Sequence, residues 1–223
     1  TFAELGQYCR DHSFRISMHP DQFVLLNSPD ENVLARSIRD LEYQTSILDL
    51  MGLDRTAKVQ IHAGGVYGDK VASMERFVRN YRNLPAGIRA RLVIENDERL
   101  YPVSDCLALH ARTGVPVILD TFHHSILNNA ESMKDVLAAT ARTWRTGDGI
   151  PMVDYSTQQD GKRTGAHAET IDPADFSAIL AQSRPYDFDL MLEIKDKEKS
   201  ATVARALAAG DSRLVTGQPQ PEL

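Results

Sequence analysis

The sequence predicts an α/β chain of the TIM-barrel type, carrying six of the barrel's eight strand–helix units. Three observations predict it. Short Val/Ile/Leu-rich runs alternate six times with stretches of helical periodicity. Several of the runs are apolar almost throughout, as parallel strands are when helices cover their outer face. Each run also ends on a side chain able to hold a metal: RISMH in His19, KVQIH in His62, LVIE in Glu95, VILDTFH in Asp120 and His123, PMVD in Asp154, and DLMLE in Glu193. Parallel strands joined through helices all point one way, so these ends gather on one rim.

Taken in order, TFAELGQYCRDH reads as a helix already under way at Thr1, so the two remaining strands are expected upstream of it. Strands are predicted at 15–19, 58–63, 91–96, 116–120, 151–156 and 188–194. The best helix covers 30–51, where Val33, Leu34, Ile38, Leu41, Ile47, Leu48 and Met51 recur at helical spacing and Gly52 stands at the C-terminal stop. Further helices are predicted at 70–83, 103–112, 132–145, 173–182 and 197–208. Residues 1–210 form one partial barrel domain in this reading, and 211–223 a loose tail. The strands flanking the gap, RISMH and FDLMLEI, are expected to leave open edges.

Composition bounds the function classes. With 42% hydrophobic residues among 223, the chain can bury one sizeable core. The formal charge of −6, from 25 Lys+Arg and 31 Asp+Glu, argues against nonspecific nucleic-acid binding, and acidic ligands neutralised by cations account for part of it. Cys9 and Cys106 lie far apart in helical contexts without CxxC spacing, so they read as reduced core thiols of an intracellular protein. No apolar run reaches membrane-spanning length.

The rim residues point to metal-assisted hydrolysis or isomerisation. Carboxylates can bridge two cations, and Glu95, on a central strand, is the natural bridge. Imidazole suits Zn, Mn or Fe, while Asp and Glu favour the harder cations. Two metals about 3.5–4 Å apart activate a water and stabilise a leaving phosphodiester oxygen. His167, in GKRTGAHAE, can join His123 at a third ion, or be an exposed loop histidine. His12 and His110 lie on helices and are left out; His124 adjoins His123 and is not assigned as a ligand.

The segments RISMHPDQF, HAGGVYGDK, IENDE, LDTFHH, YSTQ with GAHAE, and LEIKDKEKS resemble the UV damage endonuclease family, in its order and spacing across 15–201. The resemblance implies a TIM barrel related in architecture to endonuclease IV and xylose isomerase. It implies nicking of DNA immediately 5′ of UV photoproducts by two or three divalent cations, commonly Mn2+, with Zn or Mg as alternatives. It assigns His19, His62, Glu95, Asp120, His123, His167 and Glu193 as ligands, with Glu95, Asp120 and Glu193 also catalytic. Its partner is UV-damaged double-stranded DNA, with no obligate protein partner and no membrane, and its place is the bacterial cytoplasm, acting at the nucleoid. Gln22 and Phe23 match a pair that probes the duplex at the lesion, where the second residue is often Tyr. PMVDYS departs from the pattern: Met152 and Asp154 stand where the family often carries Lys and His. Asp154 can still serve as an oxygen ligand. His19, His62 and Glu95 are expected around one ion, Asp120, Asp154 and Glu193 around a second, and His123 with His167 around a third.

DNA contact has its own physical reading. Damage weakens stacking, and a side chain such as Phe23 can fill the gap left by displaced bases while the Gln22 amide meets their edges. Phe23 is equally readable as the first apolar residue of FVLLNSP, packed beneath the rim. The glycines around Tyr67 let backbone approach a phosphate. Lys70, Lys195 and Lys197 are phosphate contacts or solvated surface lysines. A sugar isomerase or epimerase on the same barrel, and an inactive partial barrel, are the competing readings.

Overall fold

Six parallel strands form one sheet in strict sequence order, curved as a half-barrel with helices on its outer face. The protein is described here from a computed structural model covering residues 1–215. Helix α1 (Phe2–Asp11) precedes strand β1 (Ser17–Met18), followed by α2 (Glu31–Leu50), β2 (Lys58–His62), α3 (Lys70–Asn83), α4 (Ala86–Arg91) and β3 (Leu92–Glu95). Then come α5 (Val103–Thr113), β4 (Val117–Asp120), α6 (Thr121–Ile126), α7 (Met133–Ala141), β5 (Met152–Tyr155), α8 (Pro173–Gln182), β6 (Asp189–Leu192) and α9 (Glu198–Leu207). Local chemistry sets the boundaries. Asp30, Asp69, Ser132 and Asp172 each cap a helix by accepting backbone N–H bonds, and Gly114 ends α5 with φ +76°.

Strand alternation sorts the side chains into two faces. Val59, Ile61, Leu92, Ile94 and Val117 point outward into the main core with Leu41, Leu48, Phe77 and Leu109 from the helices. Val93, Ile118 and Met152 point inward and pack with Trp144 and Met191, an apolar layer inside the half-barrel. Above that layer, toward the strand C-termini, stand the His, Asp and Glu residues. Below it, the floor is polar and sealed. Lys58, fully buried, donates to Asp148 at 2.7 Å and to the Ala90 carbonyl. Arg15 donates to the carbonyls of Thr56, Asp148 and Ile150 and to Asp189. Both cations lie over the Trp144 ring.

The six predicted strands and the long helices are all present, with shorter ends. β1 has two paired residues and, among the described residues, pairs only with β2. β6 likewise pairs only with β5 among the described residues, so the two edges stay open as expected. Two short helices, α4 and α6, were not anticipated; six residues carry too little periodicity to register. At the start of the expected tail, Arg213 donates to Ser183 and to the Leu180 and Tyr186 carbonyls and pairs with Asp211; residues 216–223 lie outside the described residues. Cys9 and Cys106 are buried free thiols.

Candidate metal centre

The rim is organised around Glu95, which is 1% exposed at the end of β3. Its Oε1 lies 2.8 Å from His62 Nε2 and 3.2 Å from His19 Nε2. Across the strands, Glu95 also faces Asp120 and Asp154. Two donor groups result, His19–His62–Glu95 and Glu95–Asp120–Asp154, each with one donor atom per residue and all of those atoms within 4.8 Å of one another. Glu95 belongs to both, the geometry of a shared ligand.

The donor atoms are set for cations. His19 Nδ1 lies 3.0 Å from the Pro20 carbonyl, His123 Nδ1 3.0 Å from that of Asn96, and His167 Nδ1 2.9 Å from that of Glu193. A carbonyl only accepts, so each Nδ1 carries a proton; in the neutral ring this leaves Nε2 of His123 and His167 with its lone pair, the arrangement metal-bound histidines use, whereas His19 Nε2 faces Glu95 Oε1 and gives up a proton before it can meet a cation. Asp120 Oδ1 accepts from the His123 backbone N–H at 2.7 Å. Asp120 Oδ2, Asp154 Oδ1 and His62 Nδ1 are buried with no hydrogen-bond partner. Buried, unpartnered carboxylate oxygens are costly unless a cation meets them, so this donor set fits divalent metal.

Protonation reflects the crowding. Burial lowers the His19 pKa, but the hydrogen bond and charge of Glu95 outweigh it and push it up to about 9. His62 is raised too: burial opposes, and Glu95 wins. Burial works against ionised Glu95, yet the two imidazoles hold its carboxyl well below the usual range. Asp120 and Asp154 go the other way, pushed well above it by burial and by the negative charge of Glu95 and Glu193. Two carboxyls that resist ionisation beside one that does not is a separation typical of functional sites.

The remaining expected residues are near but differently engaged. Glu193 lies outside both groups, its Oε2 3.6 Å from His167 Nδ1. His123 and His167 meet edge to face with centroids 5.7 Å apart, and His62 is 6.0 Å from His123. His124 is buried in α6 and turned to the Glu131 carbonyl. Phe23 is 71% exposed; Val24 and Leu26 fill the core in its place. Gln22 and Tyr67 are also at the surface, with Arg76 stacked on the Tyr67 ring. Lys70 is paired with Asp105 above the Tyr101 ring, and Lys195 is bonded to Gln159 and near Glu169. Lys197 is exposed at the start of α9, with φ +50°.

The pattern of the family described as UV-endonuclease UvdE matches residues 1–209. The chain belongs to that family. It is 37% identical over 199 residues to the UV DNA damage endonuclease of Clostridium perfringens, covering 88% of this chain and 48% of that protein. The chain thus spans about half the length of that relative. The crystal structure of SacUVDE superposes with a TM-score of 0.90 at 44% identity, covering 96% of this chain and 71% of the other. Endonuclease IV from Thermus thermophilus superposes at 0.63 with 22% identity, covering 93% and 81%; that likeness shows the barrel fold alone.

Three residues of the centre were not foreseen. Gln60, buried on β2 below His62, donates its amide to both Glu95 and Asp154, holding the two carboxylates together. Asn96 clasps β4 by accepting from the Asp120 N–H and donating to its carbonyl. Glu98 stands beside His123. Amides on a strand carry no metal signature, so only their position directly beside predicted ligands could have flagged Gln60 and Asn96. Met152, the departure from the family pattern, sits in the apolar layer beneath the ligands.

Proposed function

We propose that this chain carries the catalytic rim of a DNA repair endonuclease, which nicks the phosphodiester backbone 5′ to UV photoproducts by metal-assisted hydrolysis. The observation that carries the reading is the position of Glu95 in two donor groups at once, in a member of the UV-endonuclease family. Divalent cations there, Mn2+ first and Zn or Mg as alternatives, supply Lewis-acid activation of water and of the leaving oxygen. Glu95 holds the pair together, His19 and His62 complete one side, and Asp120 and Asp154 the other. Gln60 fixes the orientation of both inner carboxylates. Glu193 extends the second set along the rim, and His123 with His167 offers a third position.

The substrate is double-stranded DNA distorted by a photoproduct. Gln22 and Phe23 follow His19 on an exposed loop, and Phe23 has the apolar surface to enter a weakened stack. The loop around Tyr67, with Lys197 and the side chains of Lys70 and Lys195 once released from their partners, meets phosphates. The setting is the cytoplasm of a bacterium, at the nucleoid; no helix among the described residues is long and apolar enough to cross a membrane.

Nicking of supercoiled plasmid, irradiated against undamaged and with Mn2+ against chelator, is the test. Metal-dependent nicking confined to irradiated plasmid supports the reading, and Glu95→Ala abolishes it. Conversion of a ketose in place of nicking would favour the isomerase alternative, and neither activity with no bound metal would favour an inactive barrel.

A further inference from the structure

His123 and His167 each keep a free Nε2 that neither donor group around Glu95 uses. The carboxylate oxygen that faces the free nitrogen of His123 is Glu98 Oε2, 3.7 Å away. That is too long for a hydrogen bond. It is close to the spacing of two ligands on one ion, since bonds of about 2.0–2.2 Å at open angles set donor atoms roughly 3–4 Å apart.

Glu98 is held in place from both sides. Asp97 accepts the backbone N–H groups of Arg99, Leu100 and Tyr101, and its own N–H reaches the Tyr101 carbonyl, so the 97–101 turn is fixed. Facing it, Gly165 has φ +83°, and a Cβ there would lie 2.9 Å from Glu98 Cγ. The turn that leads to His167 therefore closes directly on Glu98. The pairing of Gln158 with His167 and the bond from Gln159 N–H to the Ala166 carbonyl anchor that turn.

We propose that Glu98 is the third protein ligand of a divalent cation held by His123 and His167. The donor atoms of the three do not all lie within 4.8 Å of one another, so a cation there would draw them together; two imidazoles and one carboxylate suit Zn or Mn and would leave room for water or a phosphate oxygen. The inference rests on reading the rim as a metal centre.

The test is a metal count, independent of turnover. The chain is dialysed against Mn2+, analysed by mass spectrometry and titrated calorimetrically, alongside Glu98→Gln, His167→Ala and the double variant. Glu98→Gln is expected to lose the same single equivalent as His167→Ala, with affinity at that site down on the order of 1,000-fold, beyond the roughly 10–100-fold that loss of an outer partner costs. The double variant should lose no second equivalent. A Glu98→Gln protein that keeps the parent's count and affinities overturns the assignment, as does a His167→Ala protein that does. If Glu98→Gln fails to fold, Glu98→Asp carries the test: weaker binding at one site supports the proposal, and parent-like binding overturns it. Plasmid nicking is scored separately, so a parent that binds metal in this pattern without nicking would sink the nuclease reading and leave Glu98 as a ligand.

Discussion

Asp120 and Asp154 stand opposite one another across the β4–β5 pairing, both fully buried, and each keeps one carboxylate oxygen without a hydrogen-bond partner. Ionising both would set like charges directly opposite one another on a sheet, so the ionised pair costs folding energy unless a cation neutralises it.

Metal should therefore stabilise the fold markedly. At a free concentration about 100-fold above Kd, binding contributes about 2.7 kcal/mol, a rise in Tm of about 5–10 °C for a chain of this size. Asp120→Asn should raise the Tm of the metal-free protein by removing a buried acid that ionises only at a cost to the fold, and shrink the response to Mn2+. Calorimetry of both proteins with metal and with chelator decides it; an unchanged metal response in the variant would remove Asp120 from the site.

The metal-free protein should lose stability as pH rises from about 6.5 to about 9. His19 has its pKa raised in the folded state from 6.5 to about 9, because Glu95 outweighs burial. Its contribution is complete below the unfolded value and disappears as pH passes the folded one. Asp120 and Asp154, raised by burial and by neighbouring negative charge, act in the same sense, since ionising them costs the folded state. Saturating metal should flatten the slope because it binds the deprotonated ligands. Thermal melts across this range, with and without Mn2+, make the comparison; a flat metal-free profile contradicts it.

Phe23→Ala should leave Tm and metal content unchanged, since the ring is 71% exposed. Affinity for irradiated duplex should fall about ten-fold, the value of one lost stacking contact of roughly 1–3 kcal/mol. Gln22→Ala should act in the same direction. Electrophoretic mobility shifts on irradiated and undamaged duplex report it, and equal affinity in parent and variants would withdraw the wedge role while leaving the metal centre intact.

Lys58→Met should destabilise the protein by about 3–5 kcal/mol, because it leaves Asp148 without the partner that it meets beneath the barrel. Urea unfolding measures this directly. A change below about 1 kcal/mol would mean that the Lys58–Asp148 pair is replaceable by apolar contact.

The rim was legible because its His, Asp and Glu residues mark the ends of apolar runs, where parallel topology leaves no choice about where they meet. His19, His62, Glu95, Asp120 and Asp154 converge for that reason. How the donors divide was less legible: Glu193, expected with Asp120 and Asp154, acts on both by its charge and also approaches His167, a matter of side-chain reach rather than strand order. Gln60 escaped notice because an amide inside a strand resembles any tolerated polar residue until the carboxylates across the barrel are placed. Lys58 and Arg15 read only as strand starts, since Asp148, which engages both through its side chain or carbonyl, is remote in sequence. Phe23 was ambiguous between core and surface, and the turn at 20–23 put Val24 inside instead.

The grip of Arg15 has a consequence for the order in which the molecule can be built. One of its partners, Thr56, is 41 residues away, but Asp189 is 174 residues away, at the first position of β6. Closing the longer loop costs about 1 kcal/mol more in chain entropy, and on a ribosome it must await the synthesis of β6. β1, made before β2 to β6, is thus locked after them. Assembly should start in the middle, at β2, β3 and β4, whose partners are close in sequence. Pulse-labelled hydrogen exchange during refolding should protect their amides before those of β1; simultaneous protection would contradict this order. His19, four positions beyond Arg15, would then reach the rim only after Glu95 and Asp120 are in place.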